Sequence, residues 1–178
     1  LDEHAAVRTA YATHVDRLSA LAGLTGPAGD ALLDLETAIA AHHWGVVKDR
    51  DAQATYNPMT LAQLAGTAPG FPWQRWATAL AGPHPHAFDA VVVREPSFFT
   101  GVAALWERRG LSEWQAWARY HLVQSFAAYL PEPLVEENFD FYGRTLTGAE
   151  QIRERWKRGV GLVQGALGEA VGQEYVAR

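Results

Sequence analysis

The chain has 178 residues, a formal net charge of −5, 48% apolar residues and no cysteine. A domain of that length buries about 70% of the surface its unfolded chain exposes, and seven Trp, six Tyr and seven Phe exclude a disordered segment. The acidic balance argues against a nucleic-acid partner, which is gripped through clustered Lys and Arg, while the lack of cysteine excludes disulfides, thiol catalysis and thiolate metal sites without fixing the compartment.

The opening LDEHAAVRTAY is an acidic amphipathic stretch without the plan of a signal peptide, and it reads as an interior segment of something longer. From Glu3 to Ala22 the apolar positions Val7, Tyr11, Val15, Leu18 and Leu21 recur at three and four, one face of a helix that Gly23 closes. Pro27 and Asp30 open a second helix with Leu32, Leu35, Ile39 and His43 inward, so the two form an antiparallel pair. Residues 45 to 58 lose the periodicity and form a long connection, and Thr60 caps a short helix through Leu64. Phe71, Trp73, Trp76 and Leu80 anchor the next.

FDAVVVREP at 88 to 96 is the one strand-like run. It is expected to lie extended across the helices or to pair with chain absent here. A helix over 97 to 109 follows, then another that Ser112 begins with Gln115 as a capping box. The stripe of that helix is Trp114, Trp117, Ala118, His121, Leu122, Ser125, Phe126 and Tyr129. After Pro133 comes a helix ended by Gly143, and the last helix carries Ile152, Trp156, Val160, Val163, Leu167 and Val171 on one face. Gly161, Gly165, Gly168 and Gly172 form a second face about 60° wide. Each such glycine costs about 1 kcal/mol against Ala, so close packing is expected, on another helix of the domain or on a further domain. No stretch of about 18 apolar residues occurs, so no membrane contact is expected from this segment.

Motifs for chemistry are missing. There is no H-E-x-x-H, no G-x-S-x-G, no phosphate loop and no dinucleotide fingerprint. His42 and His43 point about 100° apart and read as a surface histidine beside a core-edge one. His84 and His86 lack a third ligand, and His121 reads as a hydrogen-bonded core histidine. The carboxylates Glu136, Glu137 and Asp140 read as a solvated helix opening, and RERWKR at 153 to 158 as a solvated or salt-bridged face.

Four stretches nonetheless fall together: KDRDAQATYNPMTLAQL, FDAVVVREPSFF, ENFDFYGRTLTG and RERWKRGVGLVQGALGEAVGQEYV. In their order and spacing they resemble the N-terminal helical region of the neprilysin and endothelin-converting enzyme family of zinc metallopeptidases, the cysteine-free bacterial members above all. The departure is Gly159 and Gly161, where relatives are expected to carry Ala, and it bears only on how tightly that helix packs.

The resemblance implies an all-α, mostly helical domain over 1–178 with one short extended segment. It would be part of a cap over a thermolysin-like zinc domain, the two enclosing a chamber that admits peptides and excludes folded proteins. The family's zinc ligands and Glu base match no position here, so no catalytic, cofactor-binding or metal residue is expected in this segment and zinc belongs to the parent enzyme. The chain stops near Tyr175, where the family passes into its catalytic portion. Partners would be that C-terminal catalytic domain and peptide substrates. A bacterial extracellular or membrane-associated setting is favoured over a cytoplasmic one.

Arg50, Asp51, Tyr56 and Asn57 are expected to form an ion-paired, hydrogen-bonded corner or part of a substrate wall. Asn138, Tyr142, Arg144 and Trp156 carry the same two readings. The alternative to the whole assignment is a free-standing helical interaction module with no enzyme attached.

Overall fold

A computed structural model of the chain describes residues 4–26 and 28–177; the expected roles of Glu3 and Pro27 lie outside these. The first helix, α1, spans Ala5–Leu21, and α2 spans Gly29–Ala40. They pack antiparallel because their apolar faces meet at Val15, Leu18 and Leu32, all at most 2% exposed. The contact closes around one glycine: a Cβ at Gly29 would lie 2.0 Å from the Ala12 carbonyl oxygen, a distance no side chain survives. The Gly29 amide donates to Asp16 at 2.7 Å, which ties the start of α2 to α1.

Helix α7, Leu111–Phe126, and helix α8, Glu132–Phe139, complete this core with Tyr120, Ala127 and Leu134. A smaller core gathers Leu64, Ala68, Trp73, Val93 and Ala103 from α4 (Leu61–Thr67), α5 (Trp73–Ala81), α6 (Pro96–Arg108) and the segment between the last two. Leu35, Leu105 and Trp114 join the two cores. The expected mostly helical class is what the chain adopts.

The connection expected from 45 to 58 is more ordered than its composition suggested. A single turn, α3, occupies Val46–Asp49, and Pro58–Thr60 forms a short strand, β1, antiparallel to β2 at Ala90–Val92. The valine run therefore pairs inside the chain. A strand of three residues containing proline gives almost no period-two signal, and proline is tolerated because this strand is an edge. Thr60 caps α4 as expected: its Oγ1 accepts from the Gln63 amide, and the Gln63 side chain accepts from the Thr60 amide.

Other local expectations shift by a turn. His43 is exposed and stacks on Phe98 at 4.1 Å, while His42 is the more buried, filling the space over Gly101. In α5 the buried positions are Trp73 and Ala77, with Trp76 and Leu80 at the surface. Helix α7 is opened by Gly110, whose amide donates to Glu113 at 3.1 Å, rather than by Ser112. It buries Trp114, Ala116 and Tyr120 and leaves Leu122 and Phe126 more than half exposed, as is Tyr129 in the 3-10 turn that follows.

The helix expected to end at Gly143 continues through it. Residues Asp140–Thr145 form a π-helical turn on the end of α8, and the chain reverses at Gly148, where φ is 68°. The last helix, α9, spans Arg155–Val176, is bent at Leu167 (φ −131°, ψ 36°) and has no buried residue. Gly165 and Gly168 flank the bend, the usual company of a kink without proline. The glycine face, expected to pack on another helix of the domain or on a further domain, does not meet another described helix: a Cβ at Gly161, Gly165, Gly168 or Gly172 would find no described neighbour within 4 Å, and the same holds at Gly159.

Candidate functional site

The polar residues singled out in the sequence fall in two places. At the first, the Asp51 carboxylate accepts from the amides of Gln53 and Ala54 at 2.9 and 3.1 Å, and its carbonyl accepts from the Thr55 hydroxyl at 2.8 Å. This turns the chain out of α3. The Asn57 side-chain amide donates to Ala54 at 2.7 Å and to Val93 at 3.0 Å, fastening the turn to the end of β2. No ion pair joins Arg50 to Asp51 among the described residues; the charge pair at this corner is Arg94 with Asp49, at 3.0 Å. The expected corner is therefore hydrogen-bonded through Asp51 and Asn57, while Arg50 and Tyr56 face solvent.

The second place lies at the π-helical turn. A cavity of about 380 Å³ opens between α8, this turn, the 149–153 segment and the first turn of α9. Asn138 and Tyr142 line it together with Phe139, Ile152, Arg153 and Arg158. Inserting one residue per turn widens a helix locally, which is why π segments often border functional sites. Gly143 makes the turn possible, since a Cβ there would lie 2.3 Å from the Phe139 ring.

Arg144 does not line the cavity. It pairs with Asp140, approaches Glu136 at 3.9 Å and sits 4.8 Å over the Phe139 ring. Trp156 is also apart, 64% exposed on α9.

Behind the turn lies a polar network that joins α1, α2, α7 and α8, buried at His14 and Tyr120 but only half-buried at Glu36 and His121, so that His121 is bonded as expected but is not a core residue. His14, 2% exposed, has its Nδ1 3.0 Å from Glu137, stacks on Phe141 at 5.0 Å and meets the edges of Tyr120 and Tyr142. Glu137 is thus a buried partner rather than part of a solvated helix opening, because α8 already starts at Glu132 and turns this residue inward. Glu36 receives His121 Nε2 at 2.6 Å, and the Tyr11 phenol lies against the same carboxylate.

Burial governs the ionisation of the three phenols and of His14. It pushes the phenols of Tyr11, Tyr120 and Tyr142 up, since a phenolate away from water is disfavoured. It holds the His14 imidazole below its usual value, with Glu137 opposing in part. The Tyr120 hydroxyl and His14 Nε2 are buried without a hydrogen-bond partner in bonding geometry. Such a cluster fixes helix positions; nothing in it offers an activated nucleophile beside a base.

Among the described residues no three His, Asp or Glu side chains come close enough to hold a metal ion. His86 bonds Asp89 at 2.8 Å on the surface, and His121 is held by Glu36. Sequence reasoning missed Arg153 and Arg158 at the cavity. The signal was the RERWKR run, read as a salt-bridged or solvated face. Lys157 does pair with Glu154, at 3.0 Å, but Arg153, Arg155 and Arg158 have no carboxylate partner among the described residues.

Among the described residues no cluster able to hold a metal accompanies the exposed, glycine-faced α9. The model for the N-terminal region of peptidase family M13 matches residues 1–178, and the chain belongs to that family. It is similar to zinc metalloprotease Zmp1 of Mycobacterium tuberculosis in its open state, with 45% identity and a TM-score of 0.91 over 99% of this chain. The inhibitor complex of that protein gives 45% identity and 0.91 over 100%, and its partial open state 46% and 0.81 over 99%. In each case this chain spans 28% of the length of the other. No curated protein sequence matches the chain. Among the described residues no helix is long and apolar enough to cross a membrane.

Proposed function

We propose that these residues form a non-catalytic helical cap of a zinc metalloendopeptidase, and that the cap limits substrate size by walling one side of an enclosed chamber. The observation that carries this is the family match over every residue of the chain, at 45% identity to a zinc metalloprotease. The zinc, its ligands and the Glu base that activates water would belong to another part of the parent; among the described residues no cluster fits the metal, and we assign this chain no part in that step. The chain's own contribution is steric. Its buried His–Glu and Tyr network and its two joined cores hold the wall rigid, while α9 presents apolar and glycine faces to the catalytic portion of the same protein. Asn138 and Tyr142 are the candidates for contact with peptide.

The test uses the longer protein that contains this chain. Short fluorogenic peptides should be cleaved, cleavage should stop with chelator and return with zinc, and unstructured peptides should be cut at least a hundredfold faster than a folded protein carrying the same bond. The 178-residue chain alone should cleave none of them. Equal rates on folded and unfolded substrates would remove the size-limiting role, and zinc-independent turnover by the chain alone would remove the cap reading. A longer protein without zinc-dependent cleavage would favour the free-standing helical module.

A further inference from the structure

We infer that the outer edge of β2 binds an extended peptide as an added antiparallel strand, with an acidic peptide residue beside Arg94 and a basic one beside Asp89. The β1–β2 ribbon has two edges, and they are not alike. The Val93 amide donates to the Asn57 carbonyl at 2.9 Å, so Met59 and Val91 form the next bonded pair, and the N–H and C=O groups of Ala90 and Val92 point away from β1. On that side they have no partner among the described residues. On the far side of β1 the matching groups are closed: Pro58 has no N–H, and the Thr60 N–H donates to the Gln63 side chain at 2.8 Å. Proteins blunt strand edges in such ways against unwanted pairing. This ribbon is blunted on one side only.

The unpaired edge is both accessible and held in shape. Ala90 and Val92 are exposed, while Met59 and Val91 pack on the smaller core and the Asn57 side chain fastens the end of the strand at Val93. A fixed row of alternating donors and acceptors is the complement of another extended backbone, which is how peptides add to sheet edges. Charge sets the direction. Asp89 precedes β2 and Arg94 follows it, their side chains 67% and 61% exposed and paired only at the surface, with His86 and Asp49. An antiparallel partner therefore meets Arg94 near its own N-terminal end and Asp89 near its C-terminal end. Val92, exposed beside the edge, offers a cross-strand contact to a β-branched residue.

A strand of three residues is too short to hold a second copy of the chain, since a stable subunit interface needs about 1,000 Å². A peptide passing along the wall of a chamber needs only a weak grip. The choice of a peptide as occupant rests on the peptidase reading proposed above.

The experiment is a two-dimensional NMR titration of the 178-residue chain, in chelator, with the hexapeptide acetyl-Glu-Thr-Val-Thr-Ile-Lys-amide. The expected result is a Kd of about 1 mM or below, with the largest shifts at the Ala90 and Val92 amides. N-methylation of the peptide's valine or isoleucine, whose N–H groups face β2, should weaken binding about tenfold or more. N-methylation of the threonine between them, whose N–H faces away, should change it by less than about threefold. Exchanging the glutamate and the lysine should weaken binding severalfold. Val92→Pro removes an outward N–H and no ladder bond, so it should abolish the shifts while the cross-peaks within the ribbon remain. The methylated peptides leave the protein untouched and decide the matter where that variant disturbs the ribbon.

No binding, equal binding of the three methylated peptides, or tighter binding of the charge-exchanged peptide would overturn the assignment. So would self-association of the chain that Val92→Pro abolishes, which gives the edge to a second copy. Binding that is sensitive to Val92→Pro in this chain and is lost in the longer protein would give the edge to another strand of the parent, and overturns it equally. Because binding is read without turnover, its failure leaves zinc-dependent cleavage standing, and a lack of that cleavage leaves the pairing measurable.

Discussion

At the scale of single residues, His14 gives the protein a defined response to acid. Its folded pKa lies below its unfolded value of about 6.5 because burial disfavours the imidazolium. Between those two values the unfolded chain binds more protons than the folded one, so stability is full above about pH 6.5 and falls as pH drops through the window. Urea unfolding at pH 7.5 and pH 5 should show that loss, and His14→Gln, which keeps a donor for Glu137 but does not titrate, should show less of it. Identical pH dependence in the two proteins would assign the acid response elsewhere.

The phenols work in the opposite direction. Tyr11, Tyr120 and Tyr142 have folded values raised by burial, so their contribution is complete below the unfolded value near about pH 10 and is lost as pH rises. Their tyrosinate absorbance should appear together with the loss of helical circular dichroism, not before it.

Among elements, the corner that joins α3 to the β1–β2 ribbon depends on one side chain. Asn57 bridges Ala54 and Val93, and Asn57→Ala leaves two carbonyls without it, a loss of about 1–3 kcal/mol measurable by thermal or urea unfolding. Helix α9 should behave otherwise. Gly168→Leu meets open space and removes a helix-interior glycine, so the melting temperature of this chain should hold or rise; a clear fall would mean that α9 packs on the body after all.

The elements also show what periodicity can and cannot reveal. Val15, Leu18, Leu32 and Leu35 were legible because α1 and α2 each bury one face only. In α7 apolar residues surround the helix. Leu122 and Phe126, with Tyr129 just beyond its end, keep the same spacing as buried positions and yet face outward, and nothing in their spacing separates them from Tyr120. The β1 strand was illegible because only its partner supplies its bonds. For the cavity, Asn138 and Tyr142 were named from the family's motif, whereas Arg153 and Arg158 were overlooked because charge runs do not reveal whether a carboxylate is within reach. The π turn itself has no sequence signature beyond a glycine that reads as a stop.

For the whole molecule, the exposed length of α9 sets the expectation for the longer protein. An apolar helix face left in water marks an interaction surface; Val160, Val163 and Leu167 are each 46–59% exposed. Amides of residues 161–176 should exchange with deuterium quickly in this chain and at least a hundredfold more slowly when the catalytic portion is attached. Equal exchange in both would mean that this helix does not meet that portion.

The His14–Glu137 bond spans 123 positions of sequence, joining α1 to α8 across almost everything between. A ribosome adding about 5–20 residues per second needs roughly 6–25 seconds to make that interval. Through that time α1 and α2 hold Val15, Leu18 and Leu32 together without the helix that seals them, since Leu134 has yet to be made. Slowing translation between α2 and α8 should therefore increase capture of the nascent chain by holdase chaperones more than slowing it within α9.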